Sequence, residues 1–187
     1  MRADAAAQPM TVDEFLAWAD GRDGRYELES GQVVAMAPAN LGHARTKAAT
    51  FLGLSGGIAK SGLDCACYVD GPAVRVDVRT SYVPDIVVQC GPQPPDAASE
   101  LDRPMIVVEV LSPSTAYRDL GVKLAGYFEV TSIAHYLIVD VERRRVIHHA
   151  RGPDGTILTA LPTGGDLRLD PPGLTLPLAA LFPEEAS

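Results

Sequence analysis

Two acids and a lysine stand where ordinary packing would put none of them. Asp85 heads the apolar run Ile86-Val87-Val88, and Glu109 interrupts the run from Met105 to Val110. A run of that kind, bounded by Pro104 and the Ser112-Pro113-Ser114 cluster, reads as a buried strand. A carboxylate inside a buried strand is costly unless a cation compensates it, either a side chain or a metal. Two such acids converging at one place are the minimum equipment for a hard divalent cation such as Mg2+, which takes oxygen ligands and keeps several waters. Lys123 follows on a segment where Asp119, Lys123 and Tyr127 recur at every fourth position. That spacing puts all three on one side of a helix, with Lys123 leaning toward the strand it follows. The same spacing also describes a plain surface pair between Asp119 and Lys123.

The elements that must position these groups can be read around them. A helix is predicted over 116–130, with Ser114 or Thr115 as its N-cap. Leu120, Leu124 and Phe128 form its sheet-facing stripe, and Asp119, Lys123 and Tyr127 run along the edge of that stripe. Strands are predicted over 82–89, carrying Asp85, and over 104–110, carrying Glu109, side by side in one sheet. Before them, Thr11-x-x-Glu14 has the capping-box pattern and starts a helix over 11–19. Tyr26–Glu29 and 32–36 read as a hairpin about Ser30-Gly31. Its Glu27 reads as a solvent-facing strand residue, with a role at the site as the alternative. A second helix is predicted from His43 to about Leu54, burying Ala44, Ala48, Phe51 and Leu52. Lys47 and Lys60 read as solvated lysines, and His43 as a structural histidine near the helix start.

Taken in order, PDIVV, IVVEVLSPST, a helix with D-x-x-x-K-x-x-x-Y, and HYLIVDVERRRV resemble the Uma2 family of restriction endonuclease-like proteins. That family belongs to the PD-(D/E)XK nuclease superfamily, and the resemblance runs from Met10 to about Phe182. It implies an α/β fold (α+β on a strict count), with a central mixed sheet flanked by helices and additional hairpins. It implies a catalytic set of Asp85, Glu109 and Lys123, with Asp85 and Glu109 holding Mg2+ or Mn2+ and DNA as substrate. Superfamily members usually carry the lysine two residues after the strand acid. That position is Leu111 here, so the resemblance implies that Lys123 has taken the role from the helix. Glu27, His43, Asp119 and Tyr127 are its possible auxiliaries. A homodimer or higher homo-oligomer is expected, because nucleases that cut two strands often act in pairs.

The rest of the chain constrains this reading. Its 187 residues suit one domain, expected over 10–187 behind a flexible tail at 1–9. A net charge of -8 argues against a broad, nonspecific grip on nucleic acid, which needs Lys and Arg to neutralise phosphates. No apolar run approaches the roughly 20 residues of a membrane span, and no secretory signal is evident, so a cytoplasmic protein is expected. The three cysteines are too few and too irregular for a disulfide framework, and Cys65 and Cys67 read as core thiols.

Further expected strands cover 65–69 and 73–78, then 135–141 and 146–150 about an arginine-bearing turn. That turn could touch phosphate. The Pro- and acid-rich stretch 91–103 reads as a mobile surface loop. The final GLTLPLAALF reads as a strand and a closing helical turn. Both this segment and the Pro-rich loop are candidate dimer contacts. The competing reading is a catalytically inactive nuclease-fold protein, acting through assembly or partner binding, whose acids are merely ion-paired. Acid–base hydrolysis of a sugar or ester is weaker, because no nucleophile elbow is present.

Overall fold

Alternation along one strand sets the architecture. In a strand, successive side chains point to opposite faces. In β7 (Pro104–Leu111), Ile106, Val108 and Val110 pack into one buried cluster and Val107 into another. The sheet is therefore covered on both sides, which is why the run reads as almost continuously apolar. The computed structural model describes residues 8–111 and 121–183.

Around β7 lie β3 (Cys65–Val69), β6 (Ile86–Cys90), β8 (His135–Asp140), β9 (Arg145–Arg151) and β10 (Ile157–Ala160). Their order in the sheet is β10-β9-β8-β7-β6-β3. β7 and β8 are parallel and the other pairs antiparallel, so the sheet is mixed. Helix α2 (Leu41–Ser61), the hairpin of β11 (Asp166–Leu169) with β12 (Leu174–Pro177), and a 3-10 turn at Leu178–Leu181 cover one face. Helix α3 (Lys123–Glu129) covers the other, with Tyr82, Tyr127 and Tyr136 in contact there. The expected α+β fold, with the Asp85 and Glu109 strands as neighbours, is what the chain adopts.

A smaller sheet flanks the first, in the order β2-β1-β5-β4. It holds the expected hairpin of β1 (Tyr26–Glu29) and β2 (Gln32–Ala35), with β4 (Val74–Arg75) and β5 (Ser81–Tyr82). Ser30 and Gly31 both have positive φ, the backbone such a two-residue turn requires. Helix α1 (Val12–Ala19) packs on this sheet through Val12, Phe15 and Leu28, outside the main core. Its capping box is complete. Thr11 Oγ1 accepts from the Glu14 N–H, and Glu14 accepts from the Thr11 N–H at 2.7 Å.

Several expectations are corrected. Helix α2 buries His43, Thr46, Lys47, Thr50, Leu54 and Ile58, not the Ala44–Ala48–Leu52 stripe, and Leu52 is 68% exposed. The apolar stripe misled because the helix's first two turns face a polar site, so its buried side there is polar. Gly53 lets the same helix meet the C-terminal segment: a Cβ there would lie 2.6 Å from the Ala180 carbonyl oxygen. The expected strand over 82–89 is split, with β5 in the small sheet and β6 in the large one. Asp85 stands just before β6. The strand expected over 73–78 shrinks to Val74–Arg75.

Cys65 and Cys90 form a disulfide, because the antiparallel β3–β6 register sets them directly opposite each other. Cys67 remains a thiol, and burial pushes it up to about 12. The stretch 91–103 is tied down by buried Leu101 and by Glu100, which receives a two-point contact from Arg75. Leu178, Leu181 and Phe182 are buried against α2 and the sheet, so they do not offer a dimer contact. In the arginine turn, Arg143 and Arg145 bond Asp140, and Arg144 lies 5.2 Å over the Phe182 ring. The run braces its own hairpin. Asp119, the proposed caps Ser114 and Thr115, and Leu120 lie outside the described residues.

Candidate active site

At one end of the large sheet, strand ends and both covering helices bring charged side chains together. Glu27, His43, Asp85, Glu109 and Lys123 all line one pocket of about 210 Å3, closed on one side by β2 and the 35–39 segment. Each of the five is buried. A cluster of this kind, inside a fold that otherwise buries hydrocarbon, has to satisfy its charges internally.

Asp85 is held by the sheet and by α2. Oδ2 accepts from the Val110 backbone N–H at 2.8 Å and lies 3.2 Å from His43 Nε2, while Oδ1 meets Lys47 Nζ at 2.7 Å. Burial pushes this carboxyl up. The hydrogen bond and charge of His43, and then Lys47, outweigh burial and bring it down to about 2. Asp85 is therefore ionised throughout the neutral range.

Glu109 is held from the opposite face by α3. Its Oε1 accepts from Lys123 Nζ and from the Tyr127 hydroxyl, each at 2.7 Å. Burial, and then the charges of Glu109 and Glu27, hold the Tyr127 phenol well above its usual range, so it serves as a neutral donor. Lys123, 3% exposed, also meets Glu27 Oε1 at 2.8 Å and lies 5.6 Å over the Tyr82 ring. Gly126 makes room for that ring, since a Cβ at this position would come within 2.7 Å of it. Lys123 thus sits within the buried face of α3, not along its edge.

Two residues sit differently from their sequence reading. Glu27 is 1% exposed and accepts from the Val83 N–H at 3.0 Å. Its solvent-facing reading fails because the side chain turns toward Lys123 of α3 and the Val83 backbone, which cover it. Lys47 is 6% exposed and bridges Asp85 to Asp70, which it meets at 2.8 Å. The signal that could have found Lys47 was its place four residues after His43, on the same helical side. Asp70 also bonds Arg25 at 2.6 Å.

The donor chemistry suits a hard cation, because three carboxylates, Glu27, Asp85 and Glu109, line one pocket. Among the described residues, no three of His, Cys, Asp and Glu are drawn together as a finished metal cage. The carboxylate oxygens are instead held by lysine, so an entering cation must compete with Lys47 and Lys123.

Residues 12–180 match the family described as "Uma2: Putative restriction endonuclease". A curated relative, "Uncharacterized protein slr1290" of Synechocystis sp., is 26% identical over 151 residues, which are 78% of this chain and 76% of the relative. The crystal structure of "a putative nuclease belonging to DUF820" from Anabaena variabilis superposes with a TM-score of 0.72. It covers 93% of this chain and 98% of its own at 17% identity, a likeness of fold.

Proposed function

The chain belongs to the Uma2 family of putative restriction endonucleases, and from that premise we propose that it is a nuclease that hydrolyses phosphodiester bonds of DNA with Mg2+ or Mn2+. The observation that carries the reading is the pair of buried carboxylates, Asp85 just ahead of β6 and Glu109 on the neighbouring β7, lining one pocket with a buried lysine beside them. Asp85 and Glu109 would hold the metal. When bound, it supplies charge for the phosphate oxygens and lowers the pKa of a water.

The chain's own groups do the rest. The Val110 N–H and Tyr127 hydroxyl fix the orientation of Asp85 and Glu109. Lys123 is a buried cation held in place by Glu109 and Glu27, where it stabilises charge building on phosphorus. Glu27 holds Lys123 from the far side and can position a water. In the reaction, the water oxygen bonds to phosphorus and the ester P–O bond breaks. The proton lost by the water ends on the leaving oxygen by way of solvent. An oligonucleotide labelled at one end, offered as DNA and as RNA with MgCl2, MnCl2 or EDTA, tests this. Cleavage of the DNA with either metal and none with EDTA is expected.

One observation favours a second reading, an inactive fold relative that works through assembly. Each strand acid is already compensated by a lysine of the protein. Under that reading Mn2+ leaves the melting temperature unchanged, whereas binding to the folded state alone would raise it.

A further inference from the structure

We propose that Lys47 sets the affinity of Asp85 for a divalent cation, with Asp70 as the lysine's second seat. This deepens the proposed nuclease reading and rests on it. Lys47 Nζ lies 2.7 Å from Asp85 Oδ1 and 2.8 Å from Asp70 Oδ1, so it touches both carboxylates at once. Leaving Asp85 costs it one contact and keeps the other. The two acids differ in surroundings: the side chain of Asp85 is 6% exposed and that of Asp70 is 43% exposed. Asp70, which lies outside the acid pocket, can therefore hold the lysine there, with water completing its shell, while Asp85 turns to another cation.

The backbone fixes this arrangement. Asp70 directly follows the pair Val69–Ile86, and its N–H donates to the Asp85 carbonyl at 3.3 Å. Its φ of +49° is a conformation that aspartate tolerates better than most residues. Arg25 bonds the same Asp70 oxygen and also lines the acid pocket. When a divalent cation occupies Asp85, Lys47 remains beside it on Asp70, a like charge that weakens the hold. With Lys47 on Asp85, the buried acid stays compensated while no metal is present. Lys47 is thus a positioning residue that acts through Asp85. His43 Nε2 lies on the other Asp85 oxygen, Oδ2, at 3.2 Å, so it does not compete with Lys47 for Oδ1.

The test is calorimetric titration of MnCl2 into wild type, Lys47→Met, Asp70→Asn and the double variant. Lys47→Met should tighten Mn2+ binding by about tenfold, since a unit charge within a few ångströms at a partly buried site has at least that effect. Asp70→Asn should weaken it several-fold in the wild-type background and change it little in the Lys47→Met background. Coupling of that kind is what a shared lysine produces and independent sites do not. If Lys47→Met fails to fold, Lys47→Gln removes the charge but keeps a donor for Asp85.

Wild type binding Mn2+ with Lys47→Met and Lys47→Gln no tighter overturns the inference and leaves the nuclease reading standing. Asp70→Asn weakening both backgrounds equally removes Asp70 as the second seat. No Mn2+ binding in any protein sinks the metal-dependent reading, and this inference with it.

Discussion

Lys123 joins two buried carboxylates, so its loss is read first as a charge problem. Glu27 and Glu109 would keep their burial and lose the cation that both touch. Removing one partner of a buried ion pair typically costs about 3–5 kcal/mol. Lys123→Met should therefore lower the urea midpoint strongly, and Mn2+ should restore part of the loss. A variant that melts like wild type would mean the acids take up protons at little cost. Asp85 gives a pH dependence of definite sign. Its folded value of about 2 lies below the ordinary 3.8, so its contribution is complete above pH 4 and is lost as pH falls through 2. That contribution is about 2 kcal/mol, and Asp85→Asn should flatten the acid limb of the stability curve. At this scale the sequence showed the acids that interrupt apolar runs. It named Glu27 as an auxiliary but hid its burial, and it hid Lys47 altogether, because their neighbours in sequence are mixed and their burial comes from elements far away in the chain.

Glycines reveal how closely the elements approach. Gly126→Ala in α3 would drive a methyl group into the Tyr82 ring, and Gly53→Ala in α2 would drive one into the Ala180 carbonyl. Gly53→Ala should cost more, because backbone cannot swing aside. A loss of about 2 kcal/mol in urea unfolding is expected there, within the 1–3 kcal/mol usual for overpacking. Histidines between strands make a second device. The Pro171 carbonyl can only accept, so His135 Nε2 donates to it, and His135 Nδ1 accepts from His148 Nε2 at 2.9 Å. Burial, then His135 and His149, bring His148 down to about 4. An unfolded histidine titrates near 6.5, so between these values the unfolded chain binds more protons and stability falls as pH drops. Guanidinium midpoints at pH 7 and pH 5 should show this fall, and His148→Gln, which keeps a donor toward His135, should reduce it. The strands and the capped first helix were legible from local pattern. The α2 face, the split at Asp85 and the Cys65–Cys90 pairing were not, because each depends on which strands meet.

For the whole molecule, the net charge of -8 and the lysines already paired with Asp85 and Glu109 argue against a broad grip on nucleic acid, so the proposed substrate would be held through a narrow contact. Homo-oligomer formation stays a proposal. β10 offers a surface for it: an edge strand exposed along its length, with Leu158 at 59% exposure. Sedimentation at micromolar concentration showing monomer alone would remove it. The claim that Asp85 and Glu109 form a nuclease centre is tested most directly by plasmid relaxation. Wild type, Asp85→Asn and Glu109→Gln, purified identically, are incubated with supercoiled DNA and MnCl2. The expected result is nicking by wild type that EDTA abolishes and that both variants lose by about 100-fold or more, the scale of one electrostatic catalytic group. Equal nicking by wild type and Asp85→Asn, or none by wild type across Mg2+ and Mn2+, would contradict it.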